Sequence, residues 1–268
     1  MICDVHWSVM GASVKGTSHI ASGKLCQDYF MYETIQNENN RVFIAVMSDG
    51  AGSAQYAEEA SKAACKTTIR WLKKKLLNMS SKCLFNYLQK SKELPVIIRD
   101  RFHKIVQWKR KKNIECRGLR EFACTLLVSV IEDEFAFFLQ IGDGVIVVSD
   151  SENCNDVIWM FWPQKGEYEN TTVFITDAHS EDTMQLESVE KKITRIGMLT
   201  DGLQHLALQY DSQEVYAPFF TPLFNYLISN NATTSDSANK ALRIFLNSKR
   251  INERTDDDKT LLCAVRIQ

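Results

Sequence analysis

The chain has 268 residues, 45% of them hydrophobic and 24% charged, with a formal net charge of −1. These values are ordinary for a folded protein with a sizeable core and argue against a general nucleic-acid binder. No apolar run approaches the roughly 18 residues that a membrane span needs.

The opening MICDVHWSVMGAS carries Asp4 and His6 and lacks a basic stretch followed by an apolar one, so no secretion signal is expected. The eight cysteines form no C-x-x-C pair, and several sit in apolar stretches such as FACTLLV and LLCAVRI. They read as small buried hydrophobes in a reducing compartment, which points to the cytoplasm.

In chain order, WSVMGASVKG suits a strand. CQDYF leads into a second strand-like segment, and RVFIAVMSDG is a strong strand bounded by polar residues and glycine. Residues 53–78 read as helix, with Ala57, Ala60, Ala64, Ile69 and Leu72 in a stripe at helical spacing. A further helix is expected over 97–112, after the break at Pro95. FACTLLVSVIEDEFAFFLQIGDGVIVVSD predicts three strands, with turns at Glu132-Asp133-Glu134 and Gly142-Asp143-Gly144. VIWMFWP and TTVFITD are further strand candidates. In TRIGMLTDG an apolar run ends at Asp201-Gly202, before a helix-like LQHLALQY. Polar SNNATTSDSANK precedes a helix at 241–248, and KTLLCAVRIQ is the last strand. With no tandem repeat and no linker, the reading is one domain over 1–268. Its strands fall in two groups with helices between, unlike the alternation of a parallel sheet.

Carboxylates stand where these strands end. Asp49 lies in MSDG, Asp201 in LTDG, Asp143 in IGDG, Asp28 just before a strand, and Asp256-Asp257-Asp258 before the last one. Such residues can converge on one sheet edge. Each alone would be costly to desolvate; together they suit hard divalent cations. Glycine after the aspartate would let a backbone carbonyl turn towards an ion, because it tolerates unusual dihedrals and has no side chain in the way. Asp-Gly is also a common turn signal, and IGDG between two strands also reads as a hairpin.

The segments GTSHIASGKLCQD, VMSDGAGSA, FACTLLV, IGDGVIVV, MLTDGLQHL and TDDDKTLLCAV run from about residue 11 to 265. Their order resembles the protein phosphatase 2C family of metal-dependent Ser/Thr protein phosphatases, and its bacterial branch more closely. GEYENTTVFITD and FFTPLFNYL are similar to that branch as well. The resemblance implies an α+β fold, an α-β-β-α sandwich of two antiparallel sheets flanked by helices, with the metal site at one end. It implies that Asp49 bridges two metal ions, that Gly50 gives its carbonyl to one, and that Asp201 and Asp257 complete the other's set. Asp143 matches an aspartate that helps to hold a third ion in some members. The implied reaction is hydrolysis of phosphoserine and phosphothreonine by a metal-activated water, with Mn2+ or Mg2+. Two cations lower the pKa of a bridging water and offset the phosphate charge.

Two departures stand out. Family members commonly carry an acidic pair where this chain has Gln27-Asp28, and an arginine for the substrate phosphate where it has Gly23. Gln27 can still accept from a metal-bound water, and Asp28 can support the ligands. Lys24 or His19 would take over the phosphate. His19 is preferred, and a protonated imidazole can also act as general acid on the leaving oxygen. Catalysis is thereby assigned to His19, Asp49 and Asp201.

Phosphorylated proteins are the expected substrates, with a cognate Ser/Thr kinase as partner and with neither nucleic acid nor a membrane. The alternative is a pseudophosphatase that binds phosphoproteins, motivated by Gln27 and Gly23 and opposed by the retained Asp49, Asp201 and Asp257. The basic stretch at 101–120 reads as a solvated helix face, although it also suits an acidic partner. GEYEN reads as a surface loop, although Tyr168 or Asn170 could also touch substrate. His205 reads as a packing residue.

Overall fold

The apolar run that ends at Met47 is buried on both sides. In the computed structural model, which describes residues 6–37, 40–164, 172–230 and 235–267, Val42, Ile44 and Val46 face one hydrophobic layer, while Phe43, Ala45 and Met47 face another. The period of two is that of a strand. Burial of both faces explains why the run is continuously apolar rather than alternating.

The strands are β1 His6–Val14, β2 Tyr29–Asn37, β3 Asn40–Ser48, β4 Leu126–Ile131, β5 Ala136–Ile141, β6 Val145–Ser149, β7 Ile158–Trp159, β8 Gln185–Val189, β9 Arg195–Leu199, β10 Leu208–Gln209, β11 Glu214–Val215 and β12 Lys259–Ile267. The helices are α1 Thr17–Ala21, α2 Ala57–Leu76, α3 Ser81–Lys90, α4 Glu93–Lys111, α5 Ser180–Thr183, α6 Gln204–Ala207, α7 Ala217–Ser229, α8 Ser235–Leu246 and α9 Lys249–Asn252. Two five-stranded sheets form, in the orders β2-β3-β4-β5-β8 and β1-β12-β9-β6-β7. Their pairings are all antiparallel.

Three apolar layers hold the sandwich together. Ile69, Leu72, Leu84, Ile98 and Phe102 of α2, α3 and α4 cover the outer face of the first sheet. Phe220, Phe224 and Leu242 of α7 and α8 cover the second. Between the sheets lie Phe43, Phe138, Ile146, Ile196, Met198 and Leu262. Each such side chain contributes roughly 1.5–3 kcal/mol by leaving water. The layering is therefore α-β-β-α. Cys65, Cys116, Cys124 and Cys263 are buried and free. Among the described residues no helix is long and apolar enough to cross a membrane.

Several expectations are corrected. Gly142-Asp143-Gly144 is not a hairpin: β5 and β6 belong to different sheets, so this segment carries the chain from one to the other. Gly142 has φ +101, and a Cβ there would lie 2.5 Å from Thr125 Cγ2. TTVFITD is not a strand over its described residues 172–177. The Asp177 side chain accepts the Phe174 amide at 2.8 Å and folds the segment into a turn. VIWMFWP pairs only at Ile158–Trp159. LQHLALQY is helical only over Gln204–Ala207 before it enters β10. The helix expected at 97–112 begins at Glu93, with Pro95 inside its first turn, where a missing N–H costs nothing. The helix expected at 241–248 begins earlier and spans Ser235–Leu246. Helices α3 and α7 and strand β8 were not foreseen. In α7, phenylalanines and leucines on most sides and Pro218 and Pro222 hide the helical period.

Candidate active site

Asp49 is fixed by Thr125, the residue directly before the neighbouring strand β4. Thr125 Oγ1 accepts the Asp49 amide at 3.0 Å, and the Thr125 amide donates to the Asp49 carbonyl at 2.8 Å. Gly50 continues the sheet through a bridge to Cys124. Of the two expected reasons for glycine here, the missing side chain is the one that applies. Its φ is not among the positive ones; instead, a Cβ would lie 2.5 Å from the Ala57 carbonyl at the start of α2. Gly202 is required in the same way, since a Cβ there would lie 2.0 Å from the Asp258 carbonyl.

Asp49 extends from the first sheet, at the end of β3. Asp201 follows β9 and Asp257 precedes β12, both in the second sheet, and Asp143 sits on the crossing between them. Together with His19, Gln27 and Gly50 they line a cleft of about 1020 Å³. Asp28 is buried behind it. Its Oδ2 accepts from Thr200 Oγ1 at 2.7 Å, and its Oδ1 has no donor. Lys24 is not among the lining residues, but its ammonium donates at 2.8 Å to the carbonyl of Gly52, which is. His205 lines the cleft and packs on the Tyr210 ring at 5.2 Å. Tyr168 and Asn170 lie outside the described residues.

Asp258, whose role the sequence did not reveal, holds two of the lining residues, His19 and Gln27. It is 2% exposed. Its Oδ1 accepts the Gly16 amide at 2.7 Å, and its Oδ2 accepts the Gln27 amide at 2.6 Å and pairs with His19 Nδ1 at 2.9 Å. A carboxylate offers only acceptors, so Nδ1 carries the proton and Nε2 is the remaining ring nitrogen of His19. The available signal was the third aspartate of the triplet, placed directly before a buried strand. Thr200 and Thr125 left no signal beyond β-propensity.

The carboxylates are crowded. Asp49 stands within hydrogen-bond reach of the Asp28 and Asp201 carboxyls. Burial, then the charges of Asp28 and Asp201, push the Asp49 carboxyl well above the usual range. Burial, then Asp143 and Asp257, raise Asp201 to about 8. Burial raises Asp28 to about 6 and also lifts Asp143. No lysine or arginine lines the cleft among the described residues.

Among the described residues, no three His, Cys, Asp or Glu side chains stand as a closed coordination set. The donor set nevertheless fits hard divalent cations: it is all oxygen, carries excess negative charge, and includes Gln27 Oε1 and Asp28 Oδ1, both buried without a partner.

The fold is shared with solved structures. Stp1, the serine/threonine phosphatase from Staphylococcus aureus, matches with a TM-score of 0.58 at 14% identity, over 98% of this chain and 96% of that one. RsbX, solved in complex with magnesium, matches with a TM-score of 0.52 at 12% identity, over 98% and 96%. The sequence is more specific. Residues 15–247 match the protein phosphatase 2C family. Serine/threonine-protein phosphatase 3 of Escherichia coli (strain K12) is 30% identical over 264 residues, 97% of this chain and 98% of that protein. The chain therefore belongs to the protein phosphatase 2C family, whose members are metal-dependent protein phosphatases.

Proposed function

We propose that this cleft hydrolyses phosphoserine and phosphothreonine in proteins, using Mn2+ or Mg2+ within one catalytic domain over 1–268. The single observation that carries this reading is the convergence of Asp49, Asp143, Asp201 and Asp257, from both sheets, on a cleft that no lysine or arginine lines among the described residues. Asp49 and the Gly50 carbonyl, with Asp201 and Asp257, would hold two ions, and Asp143 would help to hold a third. Bound there, the ions would activate water and offset the phosphate charge.

The chain's own groups do the rest. Asp258 holds His19 with its proton on Nδ1. Protonated also at Nε2, His19 donates to a phosphate oxygen or to the leaving serine or threonine oxygen. Gln27 Oε1 accepts from water, and Asp28 steadies the ligands from behind. Lys24 braces the loop after Asp49 through the Gly52 carbonyl. The substrates are proteins phosphorylated by a Ser/Thr kinase, the partner this activity opposes. A pseudophosphatase would have little use for four converging carboxylates.

The test is phosphate release from a phosphothreonine peptide with manganese, with chelator, and with Asp201→Asn. Release with manganese that disappears in the other two supports the reading. No release from folded, manganese-loaded protein on any of several peptides overturns it.

A further inference from the structure

Away from the cleft, α2 and α4 enclose a surface groove of about 450 Å³. Lys62, Lys66 and Arg70 line it at four-residue intervals along α2, and Arg101 and Lys104 line it from α4. Trp108, 53% exposed, supplies its main apolar surface. Like charges four residues apart on a helix repel each other, and two such rows across one groove repel further.

The same helices make opposite-charge pairs elsewhere: Lys109 with Glu59 at 2.7 Å and Lys75 with Glu93 at 3.7 Å. Within the groove, Lys66, Arg70, Arg101 and Lys104 have no carboxylate in ion-pair range among the described residues. The one acid on its lining, Glu59, is already bound to Lys109. The net charge of −1 shows that this positive excess is local.

We propose that the groove docks an acidic segment of the phosphoprotein substrate, an inference that rests on the phosphatase reading. Charge complementarity selects the occupant. Bases of a nucleic acid need a row of aromatic platforms, and Trp108 stands alone here. A bilayer needs a projecting apolar face, whereas this surface is concave. An acidic peptide satisfies both rows of cations while one apolar side chain meets Trp108.

The groove is also well placed. Helix α2 starts where Ala57 packs on Gly50, so Lys66 lies roughly 13 Å further along it. An extended peptide covers that distance in about four to six residues. Docking would raise the local concentration of the phosphoresidue at the cleft.

The experiment compares two phosphothreonine peptides on the manganese-loaded protein. One carries a glutamate tract about five residues from the phosphothreonine, tested on either side; in the other the tract is glutamine. Expected is a preference of about tenfold in kcat/KM for the acidic peptide, carried by KM and abolished by about 0.5 M NaCl. The combined Lys66→Glu, Arg70→Glu and Lys104→Glu variant should lose the preference and leave the glutamine peptide unchanged. Equal rates on both peptides, or a preference that survives the variant, would overturn the proposal.

A second readout needs no turnover. The unphosphorylated acidic peptide should change tryptophan fluorescence in the metal-free protein, and Trp108→Phe should remove that signal. Failure of catalysis on every peptide would count against the phosphatase reading, while this titration still decides the groove. Tighter binding of an anionic phospholipid vesicle or an oligothymidylate than of the acidic peptide would also overturn it.

Discussion

His19 Nδ1 lies 2.9 Å from Asp258 Oδ2, and the same oxygen accepts the Gln27 amide at 2.6 Å. One carboxylate thus ties the helix that carries His19 to the segment that carries Gln27 and Asp28. Asp258→Asn keeps the shape but cannot accept from all these donors. Its kcat should fall about 10- to 100-fold, and the urea midpoint should drop by an amount worth about 1–3 kcal/mol. His19→Ala should reproduce most of the activity loss with a smaller loss of stability. Steady-state kinetics and equilibrium unfolding on both variants separate the two effects.

The metal-free protein should lose stability as pH rises. Burial and the charges of Asp143 and Asp257 hold Asp201 at about 8, and burial holds Asp28 at about 6, against an ordinary value of 3.8. Between 3.8 and 8 the folded state binds more protons than the unfolded chain. This contribution is therefore complete below 3.8 and is lost as pH climbs through about 8. Thermal scans should show the midpoint falling by a few degrees between pH 5 and pH 8. Asp201→Asn should flatten that slope and abolish turnover. A metal-free midpoint that rises steadily to pH 8 would contradict the assignment.

Gly202→Ala should damage the site without altering any of its polar groups. The new Cβ would lie 2.0 Å from the Asp258 carbonyl, so the backbone that carries Asp257 and Asp258 must shift. The expected result is a destabilisation of about 1–3 kcal/mol and a loss of about 100-fold in kcat/KM. Differential scanning calorimetry and a phosphopeptide assay would record both.

Phe138→Ala should leave a cavity between the sheets. The side chain is fully buried among residues of both sheets. Chemical denaturation should report a loss of about 3–5 kcal/mol.

Much of this was legible because strands buried on both faces write continuous apolar runs: RVFIAVMS, LLVSVI and KTLLCAVRI all became central strands. Asp49 and Asp201 were visible because each interrupts such a run just before a glycine. Helix α7 was hidden because its apolar residues are not confined to one stripe and two prolines interrupt it. The sheet to which each strand belongs was hidden too. IGDG has the local grammar of a hairpin, and only packing decides that β5 and β6 part there. Asp258 was overlooked as one more member of an acidic triplet; its burial and its bonds to residues 16, 19 and 27 are tertiary facts.

Strand β12 follows every other strand in sequence, yet it lies between β1 and β9 and is led in by Asp257 and Asp258. A nascent chain still short of residue 256 has no complete acidic cleft, however much of the first sheet has already formed. Its β1 also waits for a partner some 250 residues away, a long-range closure of the kind that folds late. During synthesis the polypeptide should therefore be inert towards phosphoproteins until its last strand is inserted, so incomplete products carry no stray activity. Ribosome-bound chains arrested on either side of residue 256, assayed for phosphate release, would reveal that threshold.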